Sequence, residues 1–265
     1  MKGLLPLALG SALLCAACTP EGDDPAPPPP GDADDAKLDD PSGPLPRFAA
    51  SYGLLLDSTV KVHDLSEDST ASLRTRAVAV VSVAQDGGRL DLRIWPCHVA
   101  LPAIGGYQPT LDDAVLSGIE VKARGKLAPQ GGKIALYVDP SALVLGARLD
   151  NARTDPLPED IDDPAVVDED LDGKPGVSIA IDGWRLFAAL RVVFALRAYV
   201  GRTDLIAGMA YVTSDRHIYG DTIPFFDAEA ADAEAAANTE VVAQDHRFRL
   251  VAGPKTCAAA AGVFR

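Results

Sequence analysis

The sequence predicts an all-β fold, mainly antiparallel, in a single barrel-like or sandwich domain with one or two short peripheral helices. Apolar and polar residues alternate with a period of two in several segments, which is typical of strands with one face in water. Turn sequences rich in Asp and Gly separate some of these segments, as in β-hairpins. We therefore expect residues 47–265, a length that can bury a substantial core, to form one antiparallel β domain.

Three segments carry this prediction. A β-branched run ends at Asp-Gly-Gly, and apolar and charged residues then alternate over 90–94. Residues 119–124 and 134–138 repeat this pattern around a Gly-Gly pair. In 184–200 every even position is apolar and the three arginines fall at odd positions, whereas a helix would scatter them to three sides. We predict two strands there, with a bend near 188–189.

Helix is predicted in two places. Thr110 and Asp113 are placed to form a capping box at the start of 110–117. Residues 227–238 are rich in Ala and acidic residues, which indicates a surface helix. A last strand is expected over 246–253, where apolar residues again alternate with arginines.

The N-terminus has the layout of an export signal. Lys2 precedes an apolar run at 4–14, which is too short to span a bilayer, and small residues lead to Cys18. This arrangement resembles the lipobox of bacterial lipoproteins. The resemblance implies a signal peptide at 1–17, acylation of Cys18 with chains such as palmitate, and a membrane anchor. With Thr19 next, it implies the outer membrane or cell surface rather than the inner membrane. An ordinary secretory signal without lipid is the alternative.

An acidic, proline-rich tether is expected at 18–46. Its segment 21–46 holds eight acidic residues and one lysine, a balance of −7, which is half of the chain's formal net charge of −14. Because the segment has few apolar side chains to bury, it should remain disordered and extended. The chain shows no basic stripe or stacking aromatic set, so nucleic acid is excluded as a partner.

Cys97 and Cys257 are expected to form a disulfide in an exported protein. The bond would tie the last segment of the chain to an early hairpin and stabilise the fold by up to about 5 kcal/mol in the chain-entropy model. Two separate buried thiols are the alternative. No C-x-x-C pattern indicates a redox or zinc site, and strand alternation predicts that His98 points away from Cys97.

The loop 166–179, VVDEDLDGKPGVSI, predicts a calcium site. Asp168, Asp170 and Asp172 occupy alternate positions before a glycine, so that three carboxylates can converge on one ion, with the carbonyl of Lys174 next in line. Calcium binds six to eight oxygens, for which carboxylates are well suited. The pattern resembles the first half of EF-hand and thrombospondin type 3 calcium loops.

The second half of the loop departs from the EF-hand. Ile179 stands where the EF-hand has its bidentate Glu, so Asp162, Asp163 and Asp182 are candidates to complete the shell. A structural rather than catalytic calcium is therefore expected. The alternative is an acidic turn between strands that binds only water.

The chain as a whole resembles uncharacterised exported lipoproteins of predatory and soil-dwelling proteobacteria. The shared features are Cys18 after a signal, an acidic proline-rich spacer, an early and a late cysteine, and a loop of the form D-x-D-x-D-G-x-P-G-V at 168–177. The resemblance implies the β domain, the Cys97 and Cys257 pair and the loop aspartates, and it implies no reaction.

No motif indicates catalysis. G-x-S-x-G and H-E-x-x-H are absent, and the four histidines are dispersed without ligand spacing. We therefore predict that the protein is not an enzyme but a lipid-anchored binding or scaffolding protein of the envelope, with an envelope protein as one expected class of partner. A hydrolase of unfamiliar type would need a histidine and an acid in one cleft.

The main alternative is a barrel-type carrier of an apolar ligand or lipid. It predicts an internal cavity lined by Leu190, Val192, Phe194 and Leu196, whereas a scaffold predicts a filled core.

Overall fold

A computed structural model describes residues 44–64, 68–103, 107–223 and 239–265. The predicted signal peptide, Cys18, most of the tether and the predicted helix at 227–238 lie outside the described residues. No described helix is long and apolar enough to cross a membrane. The described residues form these strands and two short helices: β1 (Ser51–Asp64), β2 (Ser69–Asp86), β3 (Arg89–Ala100), β4 (Thr110–Leu111), α1 (Asp113–Leu116), β5 (Val121–Gln130), β6 (Lys133–Leu145), β7 (Val177–Ile181), β8 (Trp184–Tyr199), β9 (Leu205–Asp221), β10 (Thr239–Ala252) and α2 (Cys257–Val263).

The strands pair into a ring-like antiparallel sheet. Neighbours follow the order β2, β1, β10, β9, β8, β6, β5 and β3, and β3 pairs again with β2. The short strands β4 and β7 make a second connection between β3 and β8. This arrangement confirms the predicted all-β, mainly antiparallel fold with short peripheral helices.

Alternate side chains of each long strand point into the ring and form its main core. Its most buried large members include Tyr52, Phe248 and Leu136, each no more than 1% exposed. Burying a side chain of this size stabilises the fold by roughly 1.5–3 kcal/mol. The Tyr52 hydroxyl donates to the carbonyl of Thr203 at 2.6 Å and accepts from the amide of Ala49 at 2.9 Å. This buried tyrosine therefore has hydrogen-bond partners for its polar group.

The predicted hairpins are present as β2–β3 and β5–β6. The apolar segment 184–200 is strand, as its alternation predicts, and it forms one continuous strand, β8. Near the predicted bend, the pairing of β8 with β9 shifts register between Phe187 and Ala188. The shift leaves out Tyr219, so the extra residue lies in β9, and β8 continues without interruption.

The predicted capping box is wrong. Thr110 lies in β4 opposite Ala100 and Ala180, and the N-cap of α1 is Asp112, whose carboxylate accepts from the amide of Ala114 at 2.8 Å. Pairing with two strands holds Thr110 in extended backbone, so the helix begins two residues later. Helix α2 was not predicted; Thr256 caps it by accepting from the amide of Ala259 at 3.3 Å.

A disulfide joins Cys97 in β3 to Cys257, the first residue of α2, with the sulfurs 2.02 Å apart. The pairing of β2 with β3 shifts register at this point, so that Cys97 lies in a bulge. Cys97 and His98 both line a groove beside α2. His98 binds Asp113 there, with Nδ1 2.8 Å from Oδ1.

Candidate functional site

A cavity of about 250 Å³ lies inside the ring. This is slightly below the range of about 300–1,000 Å³ that is common for small-molecule pockets. Its walls are mostly apolar and come from strands on all sides of the ring. They include Leu54, Leu56, Val60, Ala77, Ala79, Ile94, Leu143, Leu145, Leu190, Val192, Phe194 and Val212.

The carrier hypothesis predicted four residues that would line an internal cavity. Three of them line this one: Leu190, Val192 and Phe194. Leu196 does not line it and packs in the filled part of the core. The ring is filled where Tyr52 and Phe248 lie, and it remains hollow where small side chains such as Ala77 face inward. The space left by the small side chains forms the cavity.

The cavity extends to the region where the described parts of β9 and β10 are no longer paired with each other. These strands pair only from Leu205 to Met209 and from Arg247 to Val251. Beyond this ladder β9 continues along β8, and β10 continues along β1, so the described parts of β9 and β10 separate. Val212 and Ser214 line the cavity from β9 in this region, and His246 lines it from β10.

Polar side chains line the cavity in this region. We call this set the polar layer: Ser58, Thr75, Ser214, Arg216, Gln244 and His246. Ser58 lies directly opposite Thr75 on β2 and His246 on β10. Its Oγ is 2.7 Å from His246 Nδ1, and His246 Nε2 is 3.3 Å from Gln244 Oε1.

Arg216 and His246 are the ionisable side chains of the polar layer. Burial lowers the pKa of His246, against a smaller opposing effect of Asp245, so the imidazole is neutral at neutral pH. Arg191 and Asp215 also line the cavity among the described residues. Arg191 and Asp215 bind each other at 2.5 Å.

The acidic loop brings its three aspartates together. Asp168, Asp170 and Asp172 each offer a carboxylate oxygen, and these oxygens lie within 4.8 Å of one another. Both oxygens of Asp168 accept backbone amides, from Asp172 at 3.1 Å and from Gly173 at 2.8 Å. The chain therefore curls around the Asp168 carboxylate, as the spacing of the aspartates predicts.

The other two carboxylates are held from the far side of the loop. Asp170 Oδ2 accepts from the amide of Ser178 at 2.9 Å, while its Oδ1 is buried with no hydrogen-bond partner among the described residues. Asp172 accepts from the Ser178 hydroxyl at 2.8 Å and from Arg185 at 2.9 Å. The Ser178 hydrogen bond, more than the Lys174 amide or Arg185, lowers the pKa of Asp172, although some desolvation opposes the shift.

This donor set fits a hard cation. A buried carboxylate oxygen without a hydrogen-bond donor is costly to desolvate, and a bound cation would remove that cost. The cluster of three does not extend to the other predicted ligands within the described chain: Asp163 Oδ1 accepts from the amide of Ala165, and Asp182 lies in the turn between β7 and β8. Lys174 donates its amide to Asp172, so this residue closes the turn at the edge of the cluster.

Sequence reasoning missed the polar layer. The inward positions of β1 read Tyr, Leu, Leu, Ser, Val and Val from 52 to 62, so Ser58 interrupts an apolar series. That interruption is the sequence signal that could have indicated a polar group inside the fold. His246 lies 188 residues away, and its contact with Ser58 depends on the pairing of β1 with β10.

Comparison of the chain with models of protein families and with curated proteins found no match.

Proposed function

We propose that this protein is an exported, lipid-anchored binding protein whose β domain holds an apolar ligand in the cavity of the ring. The cavity is the observation that carries the proposal. A scaffold would gain from a filled core, because an empty apolar cavity costs stability in proportion to its volume. A hollow, apolar interior favours a carrier over a scaffold.

The role of the protein is binding rather than catalysis in this proposal. Transfer of a ligand from water into the cavity is favourable by roughly 25 cal/mol per Å² of apolar surface removed from water. The export signal, Cys18 and the acidic tether at 18–46 support a place at the envelope, where apolar molecules need a carrier to cross water.

A fluorescent probe tests this proposal. The chain with Cys18→Ser, which cannot be acylated, is titrated with the neutral apolar dye N-phenyl-1-naphthylamine. We expect saturable binding with enhanced fluorescence. Ala77→Phe places a ring in the cavity and should weaken binding at least about tenfold. Ala207→Phe, on the exposed outer face of β9, is the matched control and should bind as the parent chain does.

Two results would contradict the carrier. One is the absence of saturable binding to the parent chain. The other is equal binding by the Ala77→Phe and Ala207→Phe chains, provided that both unfold cooperatively.

We also propose that the acidic loop binds a structural calcium ion through Asp168, Asp170 and Asp172. The buried Oδ1 of Asp170, which has no hydrogen-bond partner among the described residues, supports this proposal, since a cation would satisfy it. The ion would supply positive charge that holds three carboxylates together and stiffens the turn before β7. It takes no part in ligand chemistry.

Thermal unfolding with calcium and with chelator tests the calcium site. For an affinity near 0.1–1 mM, as in extracellular modules, 10 mM calcium should stabilise the fold by about 1.4–2.7 kcal/mol and raise Tm by several degrees. Asp170→Asn should abolish this increase. Asp182→Asn, outside the cluster, should retain it. Identical midpoints with calcium and chelator in the parent chain would exclude the site.

A further inference from the structure

Cations and exposed apolar side chains share the outer face of the ring on β6, β8, β9 and β10. In this part of the ring the even-numbered residues, such as Leu136, Leu196 and Phe248, point into the core. Alternation therefore directs the odd-numbered residues outward. We call the following outward set the outer patch: Lys133, Tyr137, Arg197, Tyr199, Leu205, Met209 and Arg249.

Strand pairing brings the members of the outer patch together. Tyr137 lies opposite Arg197, and Arg197 lies opposite Met209. Arg249 on β10 pairs with Ala207, the outward residue next to Met209 on β9. The patch draws on four strands, so no run of basic residues marks it in the sequence.

The apolar members of the patch are largely exposed. Tyr199 is 51% exposed, and Leu205 and Met209 are each 48% exposed. Seven large apolar side chains are exposed among the described residues, and three of them lie in this patch. Exposed apolar side chains that cluster in this way mark a surface that binds a protein or a membrane.

Two cations of the patch lie over tyrosine rings. The Lys133 ammonium is 5.3 Å from the centre of the Tyr199 ring, and the Arg197 guanidinium is 5.3 Å from the centre of the Tyr137 ring. Arg197 also donates to Oε1 of Gln130 at 3.3 Å. Within the described residues neither cation forms an ion pair with a carboxylate, so both charges remain available to a partner.

Arg249 adds a third cation without an ion pair in the described chain. A hydrogen bond from Arg74 lowers the pKa of Asp57, and the charge of Arg249 adds a smaller effect. Asp57 is bound by Arg74, so it does not neutralise Arg249. The neighbouring Arg247 is paired with Asp245 at 2.6 Å and adds no net charge. The patch therefore carries positive charge on a chain whose formal net charge is −14.

The N-terminal end of the described chain lies at the same end of the ring. The amide of Ala49 donates to the Tyr52 hydroxyl, which donates to the carbonyl of Thr203. Thr203 lies in the turn between β8 and β9, close to Tyr199 in the chain. An acyl anchor at Cys18 would therefore attach the bilayer to the end of the ring that carries the outer patch.

We propose that the outer patch is a docking surface for a lipid bilayer that contains anionic lipids. The three exposed apolar side chains enter the headgroup region, and the cations around them bind lipid phosphates. An acidic protein would match the charge alone, whereas a bilayer surface matches both the charge and the apolar side chains. The inference does not depend on the ligand of the cavity, although the proposed anchor at Cys18 supports it.

Sedimentation with lipid vesicles tests this proposal. The chain from residue 18 with Cys18→Ser carries neither the signal nor a lipid, so its binding reports the protein surface. The vesicles contain phosphatidylcholine alone or with about 30% phosphatidylglycerol. We expect at least about tenfold stronger binding to the anionic vesicles. Most of this preference should be lost when NaCl is raised from about 0.05 M to about 0.5 M, because salt screens the charges.

Variants locate the docking surface. The double variant Lys133→Gln, Arg249→Gln should weaken binding to the anionic vesicles at least about tenfold, because two cations near the lipid phosphates are lost. The double variant Leu205→Ser, Met209→Ser keeps the charge and should also weaken binding several-fold, because less apolar surface enters the bilayer.

A matched control removes two charges elsewhere. Lys61→Gln, Arg148→Gln replaces two exposed cations outside the patch and should bind anionic vesicles within about twofold of the parent chain. An equal loss of binding in this control and in Lys133→Gln, Arg249→Gln would overturn the proposal. Equal binding of the parent chain to both kinds of vesicle would also overturn it, and that comparison does not depend on the folding of any variant.

Polyglutamate separates a bilayer from an acidic protein as the partner. Binding of polyglutamate, but not of anionic vesicles, to the parent chain would assign the patch to an acidic polypeptide and overturn the docking of a bilayer. Dye binding in the cavity is measured on the same variants and should not change. A failure of vesicle binding therefore leaves the carrier intact, and a failure of dye binding leaves the docking surface intact.

Discussion

Single residues decide where this ring is hollow and where it is polar. Ser58 and Thr75 occupy inward positions that apolar residues fill elsewhere on β1 and β2, and His246 meets them from β10. A polar side chain inside a sheet requires a partner, and the hydrogen bond of 2.7 Å between Ser58 and His246 provides one. The imidazole is half-buried at this position.

His246 should make stability depend on pH. Its pKa in the folded protein is lowered from the ordinary value of 6.5 because burial disfavours the charged form. As pH falls below 6.5, the unfolded chain binds a proton before the folded chain does, so His246 contributes a loss of stability that continues until its folded pKa is passed. We expect His246→Gln to reduce the loss of unfolding free energy between pH 7.5 and pH 5. Urea unfolding measures it, and parallel curves for the two chains would contradict the assignment.

Two glycines in similar conformations test how tightly the acidic loop packs on β8. Gly176 and Gly183 have φ of +85° and +86°. A Cβ at Gly176 would lie 2.4 Å from the carbonyl oxygen of Ala188, while a Cβ at Gly183 would meet nothing within 4 Å. Gly183→Ala should cost about 1–2 kcal/mol for its backbone alone. Gly176→Ala should cost roughly 1–3 kcal/mol more, because the loop must move away from β8.

Urea unfolding of the two alanine variants gives this difference directly. Equal losses of unfolding free energy would mean that the loop is free to move from β8, and that it does not depend on close backbone contact at Gly176.

Local residue patterns could be predicted and long-range contacts could not. Asp168, Asp170 and Asp172 converge because they lie within five residues of one chain segment, so their spacing alone predicts the cluster. Ser58 and His246 meet only because β1 pairs with β10, which no local pattern specifies. The sequence therefore predicted the acidic loop and missed the polar layer of the cavity.

At the scale of elements, hairpins were predictable and ring closure was not. A turn fixes the register of β2 with β3, because the loop between them is short. Helix α2 was missed because its alanines carry little periodicity, and its position depends on Ala260 packing against Val80 and Cys97. The hollow interior depends on side-chain volumes around a closed ring, and alternation alone does not reveal them.

The disulfide should hold α2 and the end of the chain against β3. It spans 160 residues, for which the chain-entropy model gives a stabilisation of roughly 5 kcal/mol. We expect the double variant Cys97→Ala, Cys257→Ala to lose about 2–5 kcal/mol, with Tm lower by about 4–20 °C. Scanning calorimetry of the variant and of the oxidised parent measures this shift. Equal Tm values would show that packing of Ala260 alone holds α2 in place.

At the scale of the whole molecule, the ring joins the two ends of the domain. β1 pairs along its length with β10, so the first and last strands close the same sheet. If any strand of the ring detached, the core would be exposed next to both of its neighbouring strands. Such a topology of distant pairings favours slow folding and a single cooperative transition.

The two tryptophans test this cooperativity. Trp95 lies in β3 and Trp184 at the start of β8, on different parts of the ring. The variants Trp95→Phe and Trp184→Phe leave one fluorescent reporter each, and circular dichroism reports the strands as a whole. Each substitution can shift stability, so the fluorescence and circular dichroism midpoints in urea are compared within the same variant. In each variant we expect the two midpoints to coincide, because a ring closed by its first and last strands unfolds as one unit. Separate midpoints would instead divide the β domain into two units, with β3 and β8 in different ones.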